Sequence, residues 1–183
     1  MHMNLPPSDW VLRWAHLVPA GSRVLDVACG FGRHLRWFHA KNHPVTGVDR
    51  AQEAITAIAP WSEAICADIE RGPWPLAGRG FGAVVVTNYL WRPLLPTIVA
   101  SVAPGGVLIY ETFAEGNATV GKPSRPDFLL RPGELLQACA SLRIVAYEDG
   151  FLPAPERFVQ RIAAVRAAQD ASTAALRLPL HLP

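Results

Sequence analysis

The stretch Val24-Leu25-Asp26-Val27-Ala28-Cys29-Gly30-Phe31-Gly32 decides the fold class of this chain. Its first half is a short apolar run typical of a β-strand, and its two glycines allow a tight turn that a ligand can approach closely. A helical pattern follows from about Gly32 to Ala40. We therefore predict a strand, a turn and a helix whose free N–H groups face an anionic ligand.

Strand and helix patterns alternate on both sides of this unit. A helix capped by Ser8-Asp9 precedes it, and helices are predicted to start at Ala51, Leu94 and Glu134. Predicted strands cover residues 23–28, 45–48, 64–67, 81–87, 107–111, 143–147 and 158–165. This alternation indicates right-handed crossovers and an α/β fold, a doubly wound, Rossmann-like sheet of seven mostly parallel strands with helices on both faces. Residues 81–87 are apolar throughout, which predicts the central strand.

Length and composition indicate a single globular domain. The chain has 183 residues, of which 50% are hydrophobic and 17% charged, with a formal net charge of +2. We expect one domain over 1–183, with a helical segment at 1–20, a long loop at 112–131 covering the substrate, and a tail at 168–183. Neither a signal peptide nor a membrane-spanning run is recognisable, so a cytoplasmic protein without membrane partners is expected.

Few features suggest nucleic acid, disulfides or metal. No run of like charges marks a nucleic-acid tail. An odd number of widely spaced cysteines predicts reduced thiols. Three histidines, His34, His39 and His43, lie close in sequence but do not share a helical face. No bound metal is therefore expected.

Polar residues follow two further predicted strands. Asp49 ends the second strand about twenty residues beyond the glycine turn, where an acid binds ribose hydroxyls in related sheets. The pair Asp68-Ile69 ends the third, as needed to bond and flank an adenine ring. A dinucleotide fingerprint requires a third glycine, but Leu35, or Arg33 in the other alignment, occupies that position. An NAD-dependent oxidoreductase therefore remains only a remote alternative.

Together these motifs resemble the class I S-adenosylmethionine-dependent methyltransferases over about residues 20–165. The fourth and fifth strands and the turn Pro104-Gly105-Gly106 are similar as well. Ala28 departs from the family by replacing its first glycine. The resemblance implies S-adenosylmethionine as cofactor and an antiparallel last strand in an edge hairpin. Small size suggests a narrower similarity to the tellurite-resistance and thiopurine-type enzymes.

The resemblance also implies roles for individual residues. Asp26 and the glycine turn would bind the methionine end, Asp49 the ribose and Asp68 the adenine amino group, with Arg50 and Ile69 packing against adenine. The cofactor-binding set is Asp26, Ala28, Cys29, Gly30, Gly32, Asp49, Arg50, Asp68, Ile69 and Asn88.

Residues after the fourth and fifth strands are predicted to handle the methyl acceptor. Acceptor positioning is assigned to Asn88, Tyr89 and Arg92, and either Tyr89 or Trp91 could contact the sulfonium through its ring. The acceptor pocket is assigned to Trp91, Glu111, Thr112 and Arg125, with Arg131 nearby, and these arginines would suit an acidic acceptor.

The expected function is methyl transfer to a small molecule by a monomer or homodimer. RNA or protein acceptors remain an alternative, although Asn88-Tyr89 lacks the two prolines of adenine-N6 methyltransferases. A non-catalytic S-adenosylmethionine-binding protein also remains open.

Overall fold

The computed structural model describes residues 5–168 and 177–180 of the chain. It contains seven strands, namely β1 (Val24–Val27), β2 (Val45–Asp49), β3 (Glu63–Cys66), β4 (Phe81–Thr87), β5 (Val102–Phe113), β6 (Arg143–Pro153) and β7 (Glu156–Val165). The α-helices of the described residues are α1 (Asp9–Trp14), α2 (Arg33–His39), α3 (Gln52–Ile58), α4 (Leu95–Ala100) and α5 (Glu134–Ala138).

The strands form one sheet in the order β3-β2-β1-β4-β5-β7-β6. The first five strands of this order are parallel, and β7 runs antiparallel to both β5 and β6. The predicted fold class is therefore confirmed, including the antiparallel last strand and the central position of β4. Because the strand order reverses between β1 and β4, the crevice at their carboxyl ends is where such sheets bind ligands.

Helices cover the sheet on both faces, and β4 contributes to both cores. Val84 and Val86 point into the core formed with α4 and α5. Ala83 and Val85 point into the core formed with α1, α2 and α3. Burial on both faces explains why β4 reads as a continuous apolar run. No helix among the described residues is long and apolar enough to cross a membrane.

The sheet extends further than the sequence predicts at β5 and β6. β5 spans Val102–Phe113 instead of 107–111, and β6 reaches Pro153 instead of residue 147. The added part of β6, residues 148–153, mixes polar and apolar residues and is mostly exposed because it lies at the sheet edge, where pairing with β7 needs no apolar alternation. The predicted tail at 168–183 falls mostly outside the described residues, as do residues 1–4 of the N-terminal segment.

Leu35 stands where a dinucleotide-binding helix would have a glycine. It is fully buried against Gly47 of β2, where an added Cβ would lie 2.6 Å from Leu35 Cδ1. Here the strand, and not the helix, supplies the small residue at the contact between α2 and β2. A side chain at position 35 is thereby accommodated without disturbing the glycine turn.

Glu63 anchors the start of β3 and should give one pH-dependent contribution to stability. Its carboxylate accepts two hydrogen bonds of 2.7 Å from Arg79 and one of 2.8 Å from Thr46. The Arg79 hydrogen bonds lower the pKa of Glu63 to about 2 from 4.5. Because the folded pKa is the lower one, this contribution is present above pH 4.5 and is lost as pH falls towards 2.

We expect Glu63→Gln to reduce the free energy of unfolding at pH 7 by less than about 1 kcal/mol, because the pair is exposed and screened. Urea unfolding of both proteins between pH 7 and pH 3 should show this difference shrinking below about pH 4.5. Glu115→Gln, at an exposed acid, serves as the control. If the difference in unfolding free energy between wild type and Glu63→Gln did not change with pH, the lowered pKa of Glu63 would be contradicted.

Candidate functional site

The turn after β1 adopts a left-handed backbone at three positions. Ala28, Gly30 and Gly32 have φ angles of 56°, 51° and 71°. The Cys29 N–H donates to Val48 O at 3.1 Å, and the Gly32 N–H donates to Cys29 O at 2.9 Å. An added Cβ at Gly30 would meet no atom within 4 Å, so this part of the turn faces open space. The turn is therefore an open cradle at the carboxyl edge of the sheet.

Ala28 keeps the glycine-like conformation although it carries a Cβ. A left-handed backbone is unfavourable for a non-glycine residue by about 1 to 2 kcal/mol. We therefore expect Ala28→Gly to raise the free energy of unfolding by about 1 kcal/mol and the melting temperature by roughly 2 to 4 °C. Thermal unfolding would measure this, with Ala59→Gly, at an exposed residue of ordinary φ −53°, as a control that should destabilise. A lower melting temperature for Ala28→Gly would show that the left-handed backbone at Ala28 is not strained.

Asp49 joins the end of β2 to the cradle. One carboxylate oxygen accepts from the Gly30 N–H at 2.8 Å, and the other accepts from the Ala51 N–H at 2.9 Å. Each oxygen retains a second acceptor position, so the carboxylate can still receive two hydroxyl protons. This geometry suits a vicinal diol such as that of ribose.

Beside Asp49 lies a cavity of about 140 Å3, which we name the adenosine cavity. Asp68 on its wall accepts from the Glu70 and Arg71 N–H groups through one oxygen, at 3.1 and 3.2 Å, which leaves the other oxygen for a ligand. The lining residues are Ala28, Asp49, Arg50, Ala67, Asp68, Ile69, Glu70 and Tyr89.

A second cavity of about 360 Å3 lies on the other side of Ala28, and we name it the turn cavity. Ala28 lines both, so the two cavities adjoin at this residue near the strand ends, and together we name them the groove. The walls of the turn cavity come from the N-terminal segment, the turn, the first residues of α2 and the end of β4. The lining residues are Leu5, Ala28, Cys29, Gly30, Phe31, Arg33, His34, Thr87 and Asn88.

A buried polar network supports the turn cavity from below. The Ser8 N–H donates to His34 Nε2 at 3.2 Å, so His34 Nδ1 carries the ring proton and donates to Asp26 at 3.3 Å. The Ser8 hydroxyl donates to Glu111 at 2.9 Å, and Glu111 pairs with Arg161 at 3.3 Å. This network fixes the chain before α1 against α2 and β5, and so holds Leu5 at the cavity.

Most of the predicted cofactor residues meet at this groove. Ala28, Cys29 and Gly30 line the turn cavity with Asn88, while Asp49, Arg50, Asp68 and Ile69 line the adenosine cavity. Two predicted residues do not line it. Asp26 is buried beneath, against His34, and Gly32 packs towards α3, where an added Cβ would lie 2.9 Å from Ile58.

The predicted acceptor residues are more scattered. Arg92 pairs with Glu134 at 2.6 Å and donates to the Asp127 and Leu129 carbonyls, so it fixes the loop to α5 and is not available to an acceptor. Arg125 is exposed and pairs with Asp127.

The other residues predicted to contact the methyl acceptor also lie away from the groove. Trp91 packs against the core below α4, Thr112 is buried, and Glu111 is held in its ion pairs. The loop 112–131, including Arg131, lines neither cavity.

Tyr89 lies at the adenosine cavity, whereas sequence reasoning placed it near the sulfonium. Its buried hydroxyl has no hydrogen-bond partner among the described residues. Burial, together with the nearby Glu70 and Asp68, raises the pKa of Tyr89, so the hydroxyl remains a donor. Because Tyr89 lines this cavity, a small movement of its ring would bring the unpaired hydroxyl to an acceptor on the adenosine part of a ligand.

The sequence-based site prediction missed seven groove residues, namely Leu5, Phe31, Arg33, His34, Ala67, Glu70 and Thr87. Thr87 could have been predicted from the sequence, because it is the last residue of the central strand and so lies at the ligand-binding edge of the sheet. Arg33 and His34 begin α2 directly after the turn, and Leu5 is brought in by contacts that leave no periodic pattern.

Part of the chain is similar to a known protein family. Residues 24–106 match the family model described as a methyltransferase domain. Comparison with curated proteins gives no significant match.

Several solved structures share the fold. TehB from Haemophilus influenzae superposes with a TM-score of 0.68 and 19% identity over 86% of this chain, which spans only 61% of that protein. A SAM-dependent methyltransferase from Methanosarcina mazei superposes with a TM-score of 0.68 and 14% sequence identity, and the match covers 90% of this chain and 100% of the other. A third structure is described for the conversion of a disulfide bond into a thioacetal group during echinomycin biosynthesis. It superposes with a TM-score of 0.67 and 16% sequence identity, and the match covers 94% of this chain and 86% of the other.

Proposed function

We propose that this chain, whose residues 24–106 match the family model of a methyltransferase domain, is a class I S-adenosylmethionine-dependent methyltransferase that transfers the methyl group to a small-molecule acceptor. S-adenosylhomocysteine is then the second product. The observation that carries the placement of the cofactor is the hydrogen bond of 2.8 Å between the Gly30 N–H and Asp49. It brings the cradle and the diol-binding carboxylate to the junction of the two cavities.

The residues of the groove fit the cofactor end by end. Asp49 would receive the ribose hydroxyls, Asp68 would accept from the adenine amino group, and Ile69 would pack against the ring. The unpaired Tyr89 hydroxyl would donate to the same half. The methionine end would extend past Ala28 into the turn cavity.

Positioning is the main task of this chain in the reaction. When bound, S-adenosylmethionine supplies an electrophilic methyl group on a positively charged sulfur. Asn88, held with φ 55° and by its N–H bond of 3.0 Å to Glu111 O, follows β4 and lines the turn cavity. Alignment of reactants and exclusion of water account for several kcal/mol in model systems, up to about 7 to 11.

The charge of the groove favours a small acceptor. Only Arg33 and Arg50 are cationic among the lining residues, whereas an RNA acceptor would require a basic track for phosphates. The structural relative from echinomycin biosynthesis also belongs to small-molecule chemistry.

A labelling experiment tests the acceptor class. The full chain is incubated with S-adenosylmethionine carrying a radioactive methyl group and with a cell extract separated by ultrafiltration into small molecules and macromolecules. We expect enzyme-dependent label in the small-molecule fraction, and Asp49→Ala should abolish most of it. Label confined to nuclease-sensitive or protease-sensitive material would identify RNA or protein as the acceptor and overturn the proposal.

A further inference from the structure

Arg157, the second residue of β7, carries hydrogen-bond donors without a partner. Its side chain is 24% exposed, and its Nε is buried with no hydrogen-bond partner among the described residues. Its Nη2 lies 3.7 Å from Glu111 Oε1, beyond hydrogen-bond distance. Arg161, further along β7, differs because it donates to Glu148 at 2.7 Å and to Glu111 at 3.3 Å. A partly desolvated guanidinium without such partners is stabilised when an anion binds it.

Glu111 does not supply that anion, because other donors already use its carboxylate. It accepts from the Ser8 hydroxyl at 2.9 Å and from Arg161 at 3.3 Å. A second cation, Arg33 of α2, lies close enough to feel the charge of Arg157. Burial lowers the pKa of Arg33 and the charge of Arg157 lowers it further, while two nearby acids oppose the shift. An anion bound to Arg157 would relieve this repulsion between the two guanidinium groups.

Arg157 lies at the same edge of the sheet as the groove and beyond its end. Because β7 is antiparallel to β5, its first residues lie beside the last residues of β5, at the carboxyl edge of the parallel strands. The adenosine cavity takes its acids from the ends of β2 and β3, and the turn cavity lies at the ends of β1 and β4. The sheet order β3-β2-β1-β4-β5-β7 then leaves the edge over β5 and β7 for the acceptor. With adjacent strands about 4.8 Å apart, β7 lies about 10 Å from β4, which a small molecule can span.

We propose that Arg157 binds an anionic group of the methyl acceptor, which is therefore a small molecule of net negative charge. The group is a carboxylate or a phosphate, because both accept the paired hydrogen bonds of a guanidinium. This inference rests on the proposed function, because it assumes that the cofactor lies in the groove. Arg157 thereby takes the role that the sequence assigned to arginines such as Arg92 and Arg125, which are paired with acids elsewhere.

Separation of the cell extract by charge tests the class of acceptor. Before labelling, its small-molecule fraction is divided on an anion-exchange resin at pH 7 into retained and unretained molecules. Each part is incubated with the full chain and S-adenosylmethionine carrying a radioactive methyl group, and we expect enzyme-dependent label to form from the retained molecules. Treating the retained part with alkaline phosphatase beforehand distinguishes the two anions, because it should abolish labelling only where the group is a phosphate.

Substitution of Arg157 tests the contact itself. In Arg157→Met, the amount of retained material that gives half-maximal labelling should rise about 10- to 100-fold, as expected for loss of a charge-assisted pair. Calorimetric affinity for S-adenosylhomocysteine should remain that of the wild-type protein. Arg143→Met, at an exposed arginine that begins β6, is the matched control and should label as the wild type does. Arg157→Lys keeps the charge without the planar fork and should give an intermediate value, and it replaces Arg157→Met if circular dichroism shows that Arg157→Met does not fold.

The outcomes separate the two proposals. Label formed only from unretained molecules, or a half-maximal amount unchanged in Arg157→Met, overturns this inference and leaves the proposed function standing. The same holds for an unchanged amount in Arg157→Lys where that variant is the one used. An equal loss of S-adenosylhomocysteine affinity would assign Arg157 to the cofactor and also overturns the inference. Absence of enzyme-dependent label from both small-molecule parts overturns both proposals.

Discussion

Asp49→Ala is expected to weaken S-adenosylhomocysteine binding by about 2 to 3 kcal/mol, roughly 30- to 150-fold. The substitution removes the carboxylate that would accept both ribose hydroxyls. It also leaves the Gly30 and Ala51 N–H groups without their partners at 2.8 and 2.9 Å, which loosens the turn. Calorimetric titration measures the affinity, and circular dichroism confirms the fold.

Two variants separate the contributions at this position. Asp49→Asn retains an oxygen that can bond one backbone N–H, so its loss of affinity should be smaller than that of alanine. Glu53→Ala, at an exposed acid nearby on α3, should bind as the wild-type protein does. Unchanged affinity in Asp49→Ala would exclude the ribose assignment.

Glu111→Ala is expected to lower the free energy of unfolding by about 3 kcal/mol, because breaking a buried pair leaves charges without compensation. The Glu111 side chain is 2% exposed and lies between Arg157 and Arg161. Arg161 keeps its second partner, Glu148, whereas Arg157 loses the carboxylate at 3.7 Å. Ser8 loses the acceptor that holds the N-terminal segment.

Thermal unfolding should show a decrease of roughly 6 to 12 °C for Glu111→Ala. Glu111→Gln can still accept from Ser8 and should lose less stability. Glu156→Ala, at an exposed acid at the start of β7, is the control and should melt within about 1 °C of the wild-type protein. A melting temperature of Glu111→Ala equal to that of the control would show that the buried pairs do not stabilise the fold.

The sheet and the adenosine half of the groove could be predicted because their signals are local. Parallel strands share one carboxyl edge, so the acids after β2 and β3 had to lie near the glycine turn. Asp49 and Asp68 accordingly line the same cavity. The left-handed conformation of Ala28 was not predictable from its residue type, because the surrounding strand and turn impose it.

The N-terminal wall of the turn cavity could not be predicted because contacts distant in sequence build it. Ser8 contacts His34 and Glu111 across 26 and 103 residues of sequence, from a segment without periodicity. Arg92 follows β4 as an acceptor residue would, but its partner Glu134 lies 42 residues away. Charge alone does not distinguish an arginine that clamps a loop from one that faces a ligand.

A crystal structure of the full chain with S-adenosylhomocysteine is the most direct test of the groove as the cofactor site. We expect both ribose hydroxyls within hydrogen-bond distance of the Asp49 carboxylate, adenine against Ile69 and Tyr89, and the amino-acid end in the turn cavity. A ligand bound away from Asp49, or no ligand in the groove at saturating concentration, would show that the groove is not the cofactor site.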